Sequence, residues 1–442
     1  MSELDQILAE LYARQPEQHV RPRLEPTKRL VTLMGDPQQN YGIIHITGTN
    51  GKTSTSRIIE RILREHGLRT GRLTSPHLVK FNERIAIDGE PVSNEQLIET
   101  YRDNKPLLEI IDSQLETEGQ VPLTFFEAFT AIAFQLFSDV AIDVLVLEVG
   151  MGGEWDATNV ADADVAVFTA IDLDHQKSLG NTVEEIATTK SGIIKEKSLV
   201  VSSPQQSGVL EVLLAKAPTM QFAGSHFGYS EVSADGYGTR FSVAGIAGQY
   251  PLLWMPIIGF HQAQNAATAI AAVELFLGQG ERPIADEVLR SALADAVSPG
   301  RLQVVSKDPL IVLDGAHNPA GARSLVGAIS DHFNNQKRIA VIGMLADKDV
   351  SGAVAEFAAG FDSVICTQPR NARGLEAKIL AEHFEDQGVE VIGVEADPLA
   401  AYELASRIAS EDNAAVFVTG SLYLIGDILG ELQLESEEQD EE

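Results

Sequence analysis

Short apolar, β-branched runs alternate with stretches of helical periodicity along nearly the whole chain, and this alternation most restricts what it can fold into. A parallel strand buried on both faces reads as a continuous apolar run, and its connection to the next parallel strand needs a crossover helix. Gly42 to Thr47 (GIIHIT), Asp143 to Val149 (DVLVLEV) and Asp164 to Ile171 (DVAVFTAI) are predicted strands of this kind. Helices are predicted over Ser54 to His66, where Ile58, Ile59, Ile62 and Leu63 share a face, and over Phe125 to Phe137, which is apolar nearly all round. A second series begins at Arg301, with strands near Ile311 to Asp314, Arg338 to Met344, Ser363 to Thr367, Val389 to Val394 and Ala415 to Thr419. Helices starting near Pro319, Val350, Leu375, Pro398 and Ser421 separate them, and the turn-prone Val297-Ser298-Pro299-Gly300 divides the two series.

Between the first predicted strand and the first of these helices stands Gly48-Thr49-Asn50-Gly51-Lys52-Thr53-Ser54. Glycines there let backbone N–H groups approach phosphates, the helix N-terminus adds positive potential, and Lys52 can reach the β- and γ-phosphates of ATP. The strict phosphate-loop pattern would need glycine where Ile46 stands, so the loop is two residues shorter. A plain Gly-rich turn is the alternative, and a lysine directly after Gly51 argues against it. The expected fold class is therefore α/β: a P-loop-type, mostly parallel sheet domain over 1–298, then a smaller Rossmann-like α/β domain over 299–434. Residues 435–442 (ESEEQDEE) carry six acidic residues in eight and are expected to be a solvated, disordered acidic tail.

The 442 residues suit two or three domains at about 150 each. With 64 acidic against 33 basic residues the net charge is −31, which disfavours nucleic acid and anionic membrane as partners. Cys366 is the only cysteine, so an internal disulfide or a cysteine-clustered metal site is excluded, and a reducing compartment is expected. The N-terminus lacks the basic start and apolar stretch of a secretory signal, and no apolar run reaches the ~18 residues of a membrane span. These readings describe a soluble cytoplasmic protein.

Three residues at predicted strand ends are candidates to hold Mg²⁺ beside the loop: Ser75 in TSPHL, Glu148 in VLVLEVG and His175 in DLDH. For Glu148 the alternative is an ion-paired strand end, although a carboxylate in so apolar a run demands a strong partner. For His175 and Ser75 taken singly, a structural or surface role is the alternative.

GTNGKTS, TSPHL with Asn82-Glu83-Arg84-Ile85, LEVGMGG with Asp156-Ala157-Thr158-Asn159, DLDH with Leu179-Gly180-Asn181-Thr182, and Thr189-Lys190-Ser191-Gly192-Ile193 together resemble the folylpolyglutamate synthase/dihydrofolate synthase family of the Mur ligase superfamily. The likeness continues in order through His261 to Ala267, PGRLQ from Pro299, DGAHNP from Asp314, GMLADKD from Gly343 and TGSLY from Thr419, so it spans about residues 20 to 430. It implies a Mur-ligase central-type first domain. It also implies that Thr49, Asn50, Gly51, Lys52 and Thr53 bind ATP and that Ser75, Glu148 and His175 hold Mg²⁺, two ions in all. By the same likeness Lys190 is an N6-carboxylysine, formed with CO₂, whereas a plain ion-paired lysine is the alternative that sequence leaves open. Asn265, Arg301 and Asp314 match further ATP contacts with His317 nearby, and Arg301 would face the γ-phosphate. Lys52, Lys190, His175 and Arg301 are the implied catalytic residues. The pterin or folate would lie against Thr124, Phe125, Phe126, Glu127, Trp155, Asp156 and Ala157, with a looser match at Pro26. Phe125 and Phe126 could equally begin a core helix. Two departures are noted: Glu154, where many relatives have arginine, and Gln176-Lys177-Ser178, positions given no ligand.

The implied reaction is ATP-dependent addition of L-glutamate to dihydropteroate and to the γ-carboxylate of tetrahydrofolate or folylpolyglutamate, through an acyl phosphate, by a monomer. Polyglutamylation alone is the nearer alternative. Another Mur-type ligase would carry a nucleotide-sugar-binding domain before the loop, and the 47 residues preceding Gly48 are too few for one. A P-loop ATPase switch is the rival from a different class; in it, hydrolysis would not depend on both acceptor and glutamate. A non-enzymatic binding module would leave the metal-binding triad without a purpose.

Overall fold

The structure, a computed structural model, describes residues 2–15, 22–333 and 336–441, with side chains described as far as Leu434. Eight strands form the first sheet: β1 (Gly42–Thr47), β2 (Thr70–Leu73), β3 (Ile85–Ile87), β4 (Glu90–Pro91), β5 (Val144–Glu148), β6 (Val165–Phe168), β7 (Leu199–Ser202) and β8 (Gln221–Phe222). Their order is β4-β3-β2-β5-β1-β6-β7-β8, parallel except for β3 and β4. β1 sits centrally, and alternate residues feed opposite cores: Ile44 and Ile46 pack with Ile58, Ile59 and Ile62 of the helix Lys52–Glu65, while Ile43 packs with Phe129 and Phe134 of the helix Phe125–Val140. Both faces of the sheet are thus covered, which is why its strands are apolar throughout.

Three strands, β9 (Gly228–Ala234), β10 (Thr239–Ala244) and β11 (Gln249–Met255), make a small antiparallel sheet packed on the helix Phe260–Gly278. The alternating α/β reading contains no such sheet. The second series forms a six-stranded sheet from β12 (Gln303–Lys307), β13 (Leu310–Leu313), β14 (Arg338–Ile342), β15 (Ser363–Cys366), β16 (Glu390–Val394) and β17 (Ala415–Thr419). It is ordered β12-β13-β17-β14-β15-β16, with only β12 antiparallel. The segment 297–300 lies between the helix Asp286–Ala294 and β12.

The last helix, Leu422–Glu441, runs on through most of the acidic segment in place of the expected disordered end. Glutamate is a good helix former, and each added residue extends an existing ladder without a new nucleus. No helix among the described residues is long and apolar enough to cross a membrane.

Candidate active site

The phosphate loop is shaped by two glycines. Gly48 has φ +155 and Gly51 φ +88, and a Cβ on Gly51 would lie 2.5 Å from Asn265 Oδ1. The loop is stapled to the end of β6, since Thr49 N–H and Asn50 N–H donate to Ala170 O at 2.8 and 3.2 Å. Its Lys52 is half-buried and donates to Gly48 O and Thr49 O at 3.2 and 3.4 Å, a curled pose over the loop's own carbonyls. Burial lowers the Lys52 pKa, and Glu148 and Asp174 work against that shift.

Glu148 ends β5 only 2% exposed and accepts from the Thr53 hydroxyl, at 3.1 Å to Oε1 and 3.3 Å to Oε2. Burial raises its pKa, with Lys52 and Thr53 opposing. His175 adopts a left-handed conformation (φ +50), and burial lowers its pKa to about 4, leaving a neutral imidazole with a lone pair to donate at neutral pH. Ser75 opens the loop after β2, facing the same space. A buried carboxylate, two hydroxyls and an imidazole bordering one cleft are donor types that fit Mg²⁺. Lys190 Nζ, also buried, donates to Gly48 O at 2.8 Å, and burial followed by repulsion from Lys52 lowers its pKa to about 7. Among the described residues its hydrogen-bond partner is that carbonyl.

The second domain reaches across. Asp314 at the end of β13 accepts from Leu302 N–H and Ala316 N–H, both at 2.9 Å, and so fixes the turn that carries Arg301. Gly315 makes room for that guanidinium, because a Cβ there would lie 2.3 Å from Arg301 Nη1. His317 Nε2 stands 3.7 Å from Asp174 Oδ2, Lys348 Nζ donates to Asp174 Oδ1 at 2.7 Å, and Asn318 meets Asn50 at 3.3 Å. Burial would raise the Asp174 pKa, but the His317 hydrogen bond and the Lys348 charge hold it well below the carboxylate range.

On the far wall, Thr124 caps the helix Phe125–Val140 by accepting from Glu127 N–H at 3.2 Å. Phe126 faces the cleft over Gly150, where a Cβ would lie 2.7 Å from its ring. Phe125 does not line the cleft. It is 1% exposed and stacks on Phe129 and Tyr12 with centroids 5.8 and 5.1 Å apart, because successive helix residues point about 100° apart. Pro26 is likewise buried, in the first turn of the helix Glu25–Leu33, and away from the cleft. Glu127 lines the cleft, but Arg23 donates to both its oxygens at 2.8 and 2.7 Å. Asp156 accepts from Met151 N–H and Thr158 N–H at 2.9 and 3.0 Å, bracing the turn after Trp155. Apart from Pro26 and Phe125, every site residue expected from the sequence borders one cleft of about 1450 Å³ between the two domains.

Residues 46–273 match the Mur ligase middle domain and residues 300–422 the Mur ligase glutamate ligase domain. The dihydrofolate synthase/folylpolyglutamate synthase of Mycobacterium tuberculosis is 40% identical over 382 residues, 83% of this chain and 78% of that protein. The chain belongs to this family of Mur ligases. A crystal structure of M. tuberculosis folylpolyglutamate synthase complexed with ADP and AMPPCP superposes with a TM-score of 0.90 at 36% identity, covering 96% of this chain and 97% of the other. E. coli FolC in complex with DHPP and ADP gives 0.85 at 29%, covering 98% and 99%.

This Mur ligase is thus an ATP-dependent ligase whose two domains share one cleft. Glu154 is exposed and off the cleft, whereas Gln176, Lys177 and Ser178 do border it beside His175. Arg23, Arg57, Asp174 and Lys348 also border it and went unassigned from sequence. Asp174 and Lys348 stand inside the DLDH and GMLADKD motifs, a usable signal. Arg23 and Arg57 carried none.

Proposed function

We propose that this ligase joins L-glutamate to dihydropteroate and, through the γ-carboxylate, to tetrahydrofolate and folylpolyglutamates, at the expense of ATP. The observation that carries the reading is the single cleft bordered by the phosphate loop, the Thr124–Ala157 wall and Arg301 of the second domain. A carboxylate oxygen of the acceptor attacks the γ-phosphorus, the bond to ADP breaks, and an acyl phosphate forms. The amine of glutamate then adds to the acyl carbon, its proton passes to solvent, and inorganic phosphate departs with the C–O bond. Lys52 and Arg301 neutralise charge on the transferring group. Ser75, Glu148 and His175 would hold two Mg²⁺, which when bound draw charge from the phosphate oxygens. Lys190, neutral for half the molecules near pH 7, is a nucleophile for CO₂ and as a carbamate would add an acidic oxygen donor to that group. Closing the domains keeps water from the acyl phosphate. The reading places the protein in the cytoplasm as a monomer, with neither nucleic acid nor membrane as partner.

The test is ADP release by the purified protein with Mg·ATP and L-glutamate, with dihydropteroate or tetrahydrofolate, and mass spectrometry of the products. Gain of one glutamate on both acceptors is expected. Gain on tetrahydrofolate alone would restrict the activity to polyglutamylation, and ADP release independent of both acceptor and glutamate would replace the ligase with an ATPase switch.

A further inference from the structure

Arg57 lies one helical turn beyond Thr53 and borders the cleft on the side of Ser75 and Glu148. It makes no hydrogen bond or ion pair among the described residues. Its Nε is closed off from solvent and unpartnered, while the terminal nitrogens of the fork open on the cleft. Other arginines nearby are paired: Arg72 Nε donates to Glu60 at 2.5 Å, although its buried Nη1 has no partner, and Arg61 binds both Glu65 and Asp295 at 2.7 Å. The carboxylates whose charge acts on Arg57 are Glu60, Glu83 and Glu148, and the repelling cation is Arg72. Each of those carboxylates is already engaged. Glu60 holds Arg72, Glu83 accepts from the backbone of Leu78, Val79 and Lys80, and Glu148 accepts from Thr53.

A guanidinium withdrawn from water is costly unless something pairs with it. Its planar fork matches the two oxygens of a carboxylate or of a phosphoryl group. We propose that Arg57 is a further substrate-binding residue, whose fork grips an oxyanion of the reacting pair, either the γ-phosphoryl group of ATP or the acceptor carboxylate that attacks it. The inference rests on the ligase reading given above. In it Arg57 works from the helix side of the cleft, opposite Arg301, so that the two oxyanions are drawn together between cations from both domains.

Arg57→Met keeps the length and apolar stem of the side chain and removes the fork, and Arg57→Lys keeps the charge without the bidentate geometry. The expected result for Arg57→Met is a fall in kcat of at least about 100-fold with an unchanged melting temperature, Arg57→Lys recovering only part. Calorimetry separates the two sources. If the γ-phosphoryl is gripped, AMPPCP affinity falls about tenfold while ADP affinity holds; if the carboxylate is gripped, both nucleotides bind normally and dihydropteroate affinity falls about tenfold. Turnover of Arg57→Met within twofold of the parent would overturn the proposal. So would equal losses for ADP, AMPPCP and dihydropteroate with a lowered melting temperature, the mark of a guanidinium that only supports the helix. The nucleotide comparison needs no turnover, so a parent protein that fails to add glutamate refutes the ligase reading while the role of Arg57 is still decided by binding.

Discussion

Lys52 and Lys190 flank the Gly48 carbonyl, at 3.2 and 2.8 Å, yet burial leaves them with different work. Lys52→Ala should abolish ADP formation with the circular dichroism of the parent retained; near-normal turnover in that variant would remove the loop from the chemistry. Lys190 has its pKa lowered from 10.5 to about 7, so between those values the unfolded chain holds a proton that the folded one has released. Stability from this group therefore rises with pH across that window and is lost on acidification toward 7. Carbamate formation needs the neutral amine, about a tenth of the population one unit below the pKa and about nine tenths one unit above. Bicarbonate-dependent activity should climb between about pH 6 and 8 in step with a carbamate signal from ¹³C-bicarbonate, and Lys190→Arg should show neither. The types of these residues were readable from motifs. The open fork of Arg57 was not, since whether an arginine is paired depends on side chains from three other segments.

The helix Phe125–Val140 shows what an element can and cannot declare in advance. Its apolar character and capping signal, threonine followed three residues later by glutamate, mark where it starts. Which of two adjacent phenylalanines faces the cleft is set by the helix's rotation, which the contacts of Phe125 with Tyr12 and Phe81 fix. Thr124→Ala removes the cap and should lower stability by about 1 kcal/mol in denaturant unfolding. Arg23 grips Glu127 and also donates to Val121 O and Pro122 O at 3.0 and 2.9 Å, tying the N-terminal segment to the start of this helix. Arg23→Ala should raise KM for dihydropteroate severalfold with KM for ATP unchanged, and a matched rise in both would argue against an acceptor wall here. The antiparallel β9–β11 sheet had a legible cue in the Asp235-Gly236 turn between two runs, which the α/β alternation on either side obscured.

At the scale of the molecule, the cleft lies where the two domains meet, and Ile258 of the first packs into a core of the second. Lys348 and Asp174 are the principal charged link, with side chains 9% and 11% exposed. Leu78 and Val79, from the loop that begins at Ser75, pack against the second domain's core beside Leu424 and Ile428. Lys348→Met would leave Asp174 to His317, Asn318 and the adjoining His175 N–H, costing about 3 kcal/mol of docking, as for other largely buried pairs that lose one partner. Small-angle scattering should then show a larger radius of gyration and turnover should slow; an unchanged radius with unchanged turnover would mean that the domains are held by apolar contacts alone. Sequence by itself determined the layered α/β architecture and the phosphate loop, because strand periodicity is local and parallel strands deliver their carboxyl ends to one edge wherever the helices run. The tertiary structure alone decided which phenylalanine is core, which carboxylate is already taken and which arginine is left open. Those outcomes turn on contacts between segments far apart in the chain, such as the hydrogen bond from Lys348 to Asp174, 174 residues apart, and burial is a property of the packed whole.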